Sequence, residues 1–287
     1  MDLHEIKLVQ AKSLEIFLYF KQFCEKHNLT YFLCGGACIG AIRHKGFIPW
    51  DDDIDMLMFR DDYEKLGSLW EQYADTDRYS YSRSNEKASQ HRTDTAIQDN
   101  HTTFINYHSR NADINHGLAI EIIPLDGCPK SVVKQYKQIF FAMIYSLFSA
   151  QRLPDRQGRL LRTISKFLLR IIKSPRKRYK IWSYAEKQMI KYNIEDCDYI
   201  KELVCGFRSM KRKLPKELFK EVVYVEYEGH KVPVPIGYDT YLKMIFGDYM
   251  AYPPESERKP KHHTVYINLD EGYKNFKGKH YCTEIGN

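Results

Sequence analysis

The chain has 287 residues, enough for one large domain or two modest ones, and its 43% apolar content supplies a buried core and excludes a disordered chain. Its balance is basic, 44 Lys and Arg against 37 Asp and Glu, which fits an anionic partner such as a nucleotide, a phosphopolymer or an acidic membrane surface. Seven scattered cysteines with no C-x-x-C spacing argue against a disulfide framework or a zinc knuckle and fit a reducing cytoplasm.

The N-terminus, "MDLHEIKLVQAKSLEIF", does not have the basic, apolar, small-residue order of a secretory signal. Apolar residues Ile6, Val9, Phe17, Phe20 and Cys24 recur at helical spacing, which predicts an amphipathic helix over about 4–28. "TYFLCGG" then predicts a short buried strand ending in a glycine turn, followed by a brief helix in "ACIGAIRH" and a turn at "KGFIP". "IDMLMF" predicts a second strand and "RDDYEKLGSLWEQYA" a helix with Asp61 and Asp62 at its positive end. "TTFIN" and "GLAIEIIPLDG" add two strands, the second expected to close at Pro124 and the Asp126-Gly127 turn.

From 131 to about 200 the pattern turns helical and basic. Its longest apolar stretch, "IFFAMIYSLFSA", is shorter than the roughly 20 residues of a bilayer span and reads as a core helix. In "RLLRTISKFLLRIIKSPRKRYK", Leu161, Ile164, Leu168 and Ile171 are placed on one face and Arg162, Lys166, Arg170 and Lys173 on others. "EVVYVEYEGHKVPVPI" predicts a hairpin turning at Glu228-Gly229, and the tail predicts a helix, a Gly-Asp turn and a proline-rich charged loop. The expected division is a core over 1–130, with a helical and loop-rich half over 131–287 packed on it.

The chemistry concentrates in "GGACIGAIRHKGFIPWDDDIDMLMF". In a strand, Asp53 and Asp55 would point to one side, and two carboxylates about 5 Å apart repel by about 3 kcal/mol at an effective dielectric near 20. A divalent cation reverses that penalty by taking oxygens from both. Glu121 stands alone inside the apolar run "LAIEII", where a buried carboxylate needs a partner. Asp51 and Asp52 read as turn caps or supports for the ligands, either able to replace one if the strand begins earlier.

Gly35 and Gly36 permit close backbone approach to an anion, and Arg43, with a fork that engages two oxygens, is the first choice for a phosphate clamp; a surface cation paired with the acids is the equal alternative. Trp50 can stack on a base or a quaternary ammonium, against the commoner reading as a packed core Trp. Together these residues describe a phosphoryl-transfer site.

At these residues the sequence resembles the LicD family, bacterial transferases named for phosphocholine attachment to cell-surface glycans and related to fukutin-type proteins. The opening block from Gly35 to Leu66, "NHTTFIN" and "HGLAIEIIPLDGCP" in the middle, and "YEGHKVPVPIGYDTYLKMIFGDYMAYPPESERKPKHH" at the close carry the resemblance, while 131–200 matches loosely. The resemblance implies a mixed α/β fold whose nucleotidyltransferase-like core sheet is flanked by helices. It also implies a metal and nucleotide site built from Gly35-Gly36, Asp53, Asp55 and Glu121. Glu121 stands where many relatives carry Asp and reaches one methylene further.

The implied reaction moves a phospho-alcohol, phosphocholine first, from a CDP-activated donor to a hydroxyl of a glycan or teichoic-acid precursor, releasing CMP with the help of Mg²⁺ or Mn²⁺. Asp53, Asp55 and Glu121 are the expected metal ligands and catalytic groups. Gly35, Gly36, Arg43, Asp248, His262 and His263 are the expected donor or acceptor contacts, the last three with turn-capping or exposed-loop roles as the commoner alternative. The implied setting is cytoplasmic, with no nucleic-acid partner and a lipid-linked acceptor as a further expectation; the basic run 159–180 can rest on the inner membrane face, against the commoner reading as a solvated cationic helix face. Two other readings stay open from sequence: a nucleotidyltransferase that adds NMP to a small molecule, and a glycan-binding relative without turnover.

Overall fold

The computed structural model describes residues 1–153, 158–260 and 262–283. The chain opens with α1 (Leu3–Lys26), started by a capping box in which the Glu5 N–H donates to Asp2 Oδ1 at 2.8 Å and the Asp2 N–H donates to Glu5 Oε2 at 2.9 Å. Its apolar stripe, with Val9, Ile16, Phe17, Phe20 and Cys24, is buried as the spacing predicts. Then come β1 (Tyr31–Leu33), α2 (Gly35–His44), β2 (Asp55–Phe59), α3 (Arg60–Tyr73), β3 (Tyr79–Ser82), β4 (Thr95–Asp99), β5 (Thr103–Asn106) and β6 (Leu118–Cys128). The middle holds α4 (Val132–Ala150), α5 (Arg159–Ile171), α6 (Pro175–Met189), β7 (Tyr199–Lys201), α7 (Phe207–Lys211) and β8 (Leu214–Pro215). β9 (Val222–Tyr227), β10 (His230–Pro235), α8 (Tyr238–Phe246) and β11 (Thr264–Asn268) close it. This is a mixed α/β fold with helices flanking the sheet.

Contacts divide the chain into two compact units. The first comprises Met1–Ser82, Ala96–Ile122 and Glu217–Asn287, and the second Arg83–Thr95 and Ile123–Lys216. The chain passes from the first unit to the second inside β6 and returns to the first at Glu217.

In the first unit the strand order is β1-β2-β6-β4-β3, with β1 antiparallel to β2 (Leu33 opposite Met56) and β3 antiparallel to β4. Phe32, Leu33, Met56, Leu57 and Met58 are buried, and Trp70 of α3, fully enclosed, satisfies its indole by donating to the Tyr79 carbonyl at 2.9 Å. The predicted hairpin is present: β9 and β10 pair antiparallel, and Glu228 (φ 49°) and Gly229 (φ 76°) make the two-residue turn with positive φ that suits strand twist. The hairpin tip docks on the loop after α2, where Glu228 N–H donates to the Lys45 carbonyl at 2.8 Å and Phe47 N–H donates to Glu228 Oε1 at 3.0 Å. A Cβ on Gly46 would lie 2.1 Å from that oxygen, so the contact requires glycine.

In the second unit α4 and α6 pack along each other, joined by buried Gln138, whose Nε2 donates to the carbonyls of Gly127 (2.8 Å) and Met189 (2.9 Å). Residues 126–128 of β6 pair with β7, and β7 with β8.

Three local expectations change. Gly35 and Gly36 open α2 instead of forming a separate turn, with Gly35 at φ +52° making the entry. Pro124 does not close its strand, and β6 runs on to Cys128. Pro124, which has no N–H to donate, lies between Glu121, whose N–H donates to the Ile54 carbonyl, and residues 126–128, which pair with β7. On α5 the predicted face splits: Leu161 and Leu168 are half-buried, while Ile164 and Ile171 are exposed.

Candidate active site

The acidic stretch is held from several sides within the first unit. Asp51 N–H donates to the Ile48 carbonyl at 2.9 Å, closing a turn, and Gln10 Nε2 of α1 donates to the carbonyls of Ile48 (3.1 Å) and Asp51 (2.7 Å). β2 begins at Asp55, so Asp53 precedes the strand and the alternation argument for a shared Asp53 and Asp55 face does not apply. Cys34 N–H donates to the Asp55 carbonyl at 3.0 Å, which fixes the strand start against the entry of α2.

Glu121 N–H of β6 donates to the Ile54 carbonyl at 3.1 Å, so the isolated strand acid lies directly beside the aspartates. The two glycines sit against the acids themselves. A Cβ on Gly36 would lie 2.1 Å from Asp51 Oδ2, and one on Gly35 would lie 4.0 Å from Asp55 Oδ2. The close approach that the glycines permit is therefore to these carboxylates at the positive end of α2.

His262, just before β11, completes the cluster. β11 pairs with β5 (Ile267 opposite Phe104), and Tyr107 N–H donates to the His263 carbonyl at 2.8 Å, which anchors this part of the chain. His262 Nδ1 donates to Asp52 Oδ1 at 3.1 Å, and its Nε2 lies 3.9 Å from Asp53 Oδ2. The hydrogen bond to Asp52, reinforced by the charges of Asp52, Asp53 and Glu121, pushes the imidazole up to about 9 against the opposing effect of burial. Asp52 is 3% exposed, and its Oδ2 accepts no hydrogen bond from the described residues. One ligand atom each from Asp52, Asp53 and His262 fall within 4.8 Å of one another.

The remaining predicted residues take other positions. Arg43 Nη1 donates to the carbonyls of Tyr249 (2.7 Å) and Ala251 (3.0 Å), and its guanidinium stacks on Tyr252 at 4.8 Å, which ties α2 to the segment after α8. Partial burial lowers its pKa. Asp248 is exposed and accepts from the Ala251 N–H at 3.3 Å, capping a turn, and the His263 residue is exposed.

Trp50 is absent from the buried core. It sits half-buried beside Tyr252 (ring centroids 6.2 Å) and His44 (6.5 Å), with the Arg258 guanidinium 5.7 Å from the Trp50 ring and 5.4 Å from the Tyr252 ring. Sequence reasoning missed Asp52 as a principal member of the cluster, and Tyr252 and Arg258 altogether. "AYPPESERKPKHH" gave the signal that one aromatic, one arginine and two histidines close the matched block.

The nucleotidyltransferase domain described as LicD/FKTN/FKRP matches residues 28–145. Over 261 residues the chain is 32% identical to the lipopolysaccharide cholinephosphotransferase LicD of Haemophilus influenzae, covering 88% of this chain and 94% of that protein. A shorter match, 32% identity over 78 residues, covers 21% of this chain and 16% of the human ribitol 5-phosphate transferase FKRP. A long alignment with the first and a match that includes the acidic stretch have one consequence: the chain belongs to the LicD/FKTN/FKRP family of nucleotidyltransferase-domain transferases.

Proposed function

We propose that the protein transfers phosphocholine from CDP-choline to a hydroxyl of a cell-surface glycan or teichoic-acid precursor, releasing CMP. The observation that carries this reading is the convergence of Asp52, Asp53 and His262 beside Glu121, in a chain whose nearly full-length relative is named a cholinephosphotransferase. In the reaction the acceptor oxygen bonds to the choline-bearing phosphorus, the bond to the bridging diphosphate oxygen breaks, and CMP leaves with that electron pair.

The residues fit a divalent cation. Asp52 Oδ2 is buried without a donor among the described residues, and the 3.9 Å between His262 Nε2 and Asp53 Oδ2 is too long for a hydrogen bond and suits two atoms that share an ion. Two carboxylates and an imidazole suit Mn²⁺ well and Mg²⁺ through its oxygens. Asp52, Asp53 and His262 would hold the ion, with Asp55 and Glu121 completing the acidic wall. Bound there, it would neutralise the diphosphate charge.

The chain's own groups do the rest. Asp52 orients the His262 ring through Nδ1, Glu121 takes the acceptor hydroxyl proton, and the glycines keep Asp51 and Asp55 close to α2. Trp50 and Tyr252, two ring faces already carrying the soft Arg258 cation, suit a trimethylammonium group by the same attraction.

Incubation with CDP-choline, CDP-ribitol and CTP, each with and without EDTA, tests the reading through CMP release. CMP from CDP-choline that disappears with EDTA is the expected result. Release from CDP-ribitol alone, or pyrophosphate from CTP, would replace it.

A further inference from the structure

We infer that the outer face of α5 docks on an anionic lipid bilayer. The helix carries three distinct faces. At about 100° per residue, Leu160, Ile164, Phe167 and Ile171 fall within about 60° of arc. They are 75%, 46%, 61% and 62% exposed. The opposite side, Leu161, Ser165, Leu168 and Leu169, is buried or half-buried. The third face, flanking the exposed stripe, is basic: Arg159, Arg162, Lys166 and Arg170 are all exposed.

An exposed stripe of four large apolar residues on one helix is costly to leave in water and marks an interaction surface. The charge beside it selects the partner. Between Gly158 and Lys180 the sequence has nine Lys and Arg and no Asp or Glu, and Arg176, Lys177 and Lys180 continue the exposed positive surface into α6. A second copy of this chain would bring the same run of exposed cations face to face, which disfavours self-association through this stripe. A nucleic acid would use the cations and leave the apolar stripe in water. A bilayer with acidic headgroups uses both, taking the apolar side chains at the acyl boundary and the cations at the phosphates.

The helix is capped at its C-terminal end. Its last turn is tied down by Arg178, which donates from Nε to the Ile172 carbonyl at 2.6 Å and from Nη2 to the Leu169 carbonyl at 2.8 Å. At 13 residues it lies along a surface and does not cross one, and no helix among the described residues is long and apolar enough to span a membrane. The inference is independent of the transferase reading, because lipid binding is measured without turnover.

The full chain should co-sediment with vesicles of phosphatidylcholine and phosphatidylglycerol but not with phosphatidylcholine alone, and added salt should release it. The double variant Phe167→Ser/Ile171→Ser should weaken binding by about tenfold or more. The triple variant Arg162→Gln/Lys166→Gln/Arg170→Gln should lose the preference for anionic vesicles. Both keep the wild-type melting temperature because the replaced side chains are exposed, and Leu160→Ser, at the most exposed position, serves as the check if either variant melts early. Equal binding to both lipids, no binding to either, or wild-type binding by the Phe167/Ile171 and Leu160 variants would overturn the inference. So would a wild-type dimer that these variants dissolve without any affinity for lipid.

Discussion

Between Trp50 and Asp55 four acids sit against glycines, a histidine and a neighbouring strand, with Asp52 almost wholly enclosed; along α5 the cations stand in solvent with apolar side chains beside them. Both stretches are charge-dense in sequence, but the first gathers its charges into a partly enclosed cluster and the second displays them to solvent. Asp52 takes a hydrogen bond from His262, and Glu121 is brought alongside by the β6 backbone. Buried, answered charge is costly to assemble and signals chemistry. Exposed charge of one sign signals a surface for an oppositely charged partner.

The largest expected effect comes from breaking the first arrangement. Asp53→Asn keeps the shape and removes the charge, and CMP release should fall by about 10²-fold or more while the melting temperature holds. Gly36→Ala comes next. Its Cβ would meet Asp51 Oδ2 at 2.1 Å and displace the carboxylate, so a loss of about 1–3 kcal/mol in chemical denaturation is expected, together with reduced turnover.

Arg43→Lys sharpens the comparison further by separating a tether from a phosphate clamp. Lys has no fork with which to reach the Tyr249 and Ala251 carbonyls while covering Tyr252. As a tether, Arg43 predicts a stability loss of about 1–2 kcal/mol without any change in the KM for donor. A raised KM at unchanged stability would restore the clamp.

The smallest effect lies outside the cluster. Burial holds His116 below its ordinary value of 6.5, with the ring 4.3 Å from that of Tyr281 and Nε2 donating to the Ala112 carbonyl at 3.0 Å. A lowered folded-state pKa means that the unfolded chain takes up this proton first. The contribution is therefore complete above pH 6.5 and is lost as pH falls toward the folded-state value. His116→Gln should flatten that part of the stability profile in urea melts taken across mildly acid pH.

Sequence periodicity located α1, β1, β2, α3 and the β9–β10 hairpin because each buries its own regular pattern against the core. It did not reveal β3, β4 or β7, whose short runs mix polar and apolar residues and are specified by partners distant in sequence. The convergence of Glu121 on the aspartates was legible, since an acid within an apolar strand needs a local reason. The place of Asp52 in the cluster was not, because strand alternation selected Asp53 and Asp55 although the strand begins only at Asp55. His262 was found only as part of a resembling block. Its place against Asp52, 210 positions away, depends on the pairing of β11 with β5.

The claim that Asp52, Asp53 and His262 grip a divalent cation is tested most directly by titrating Mn²⁺ into the protein and following the free ion by electron paramagnetic resonance. Saturable binding to the wild type, abolished in Asp53→Asn and weakened in His262→Gln with both variants folded, is the predicted result. Absence of binding to the wild type, or equal binding by all three proteins, would contradict it.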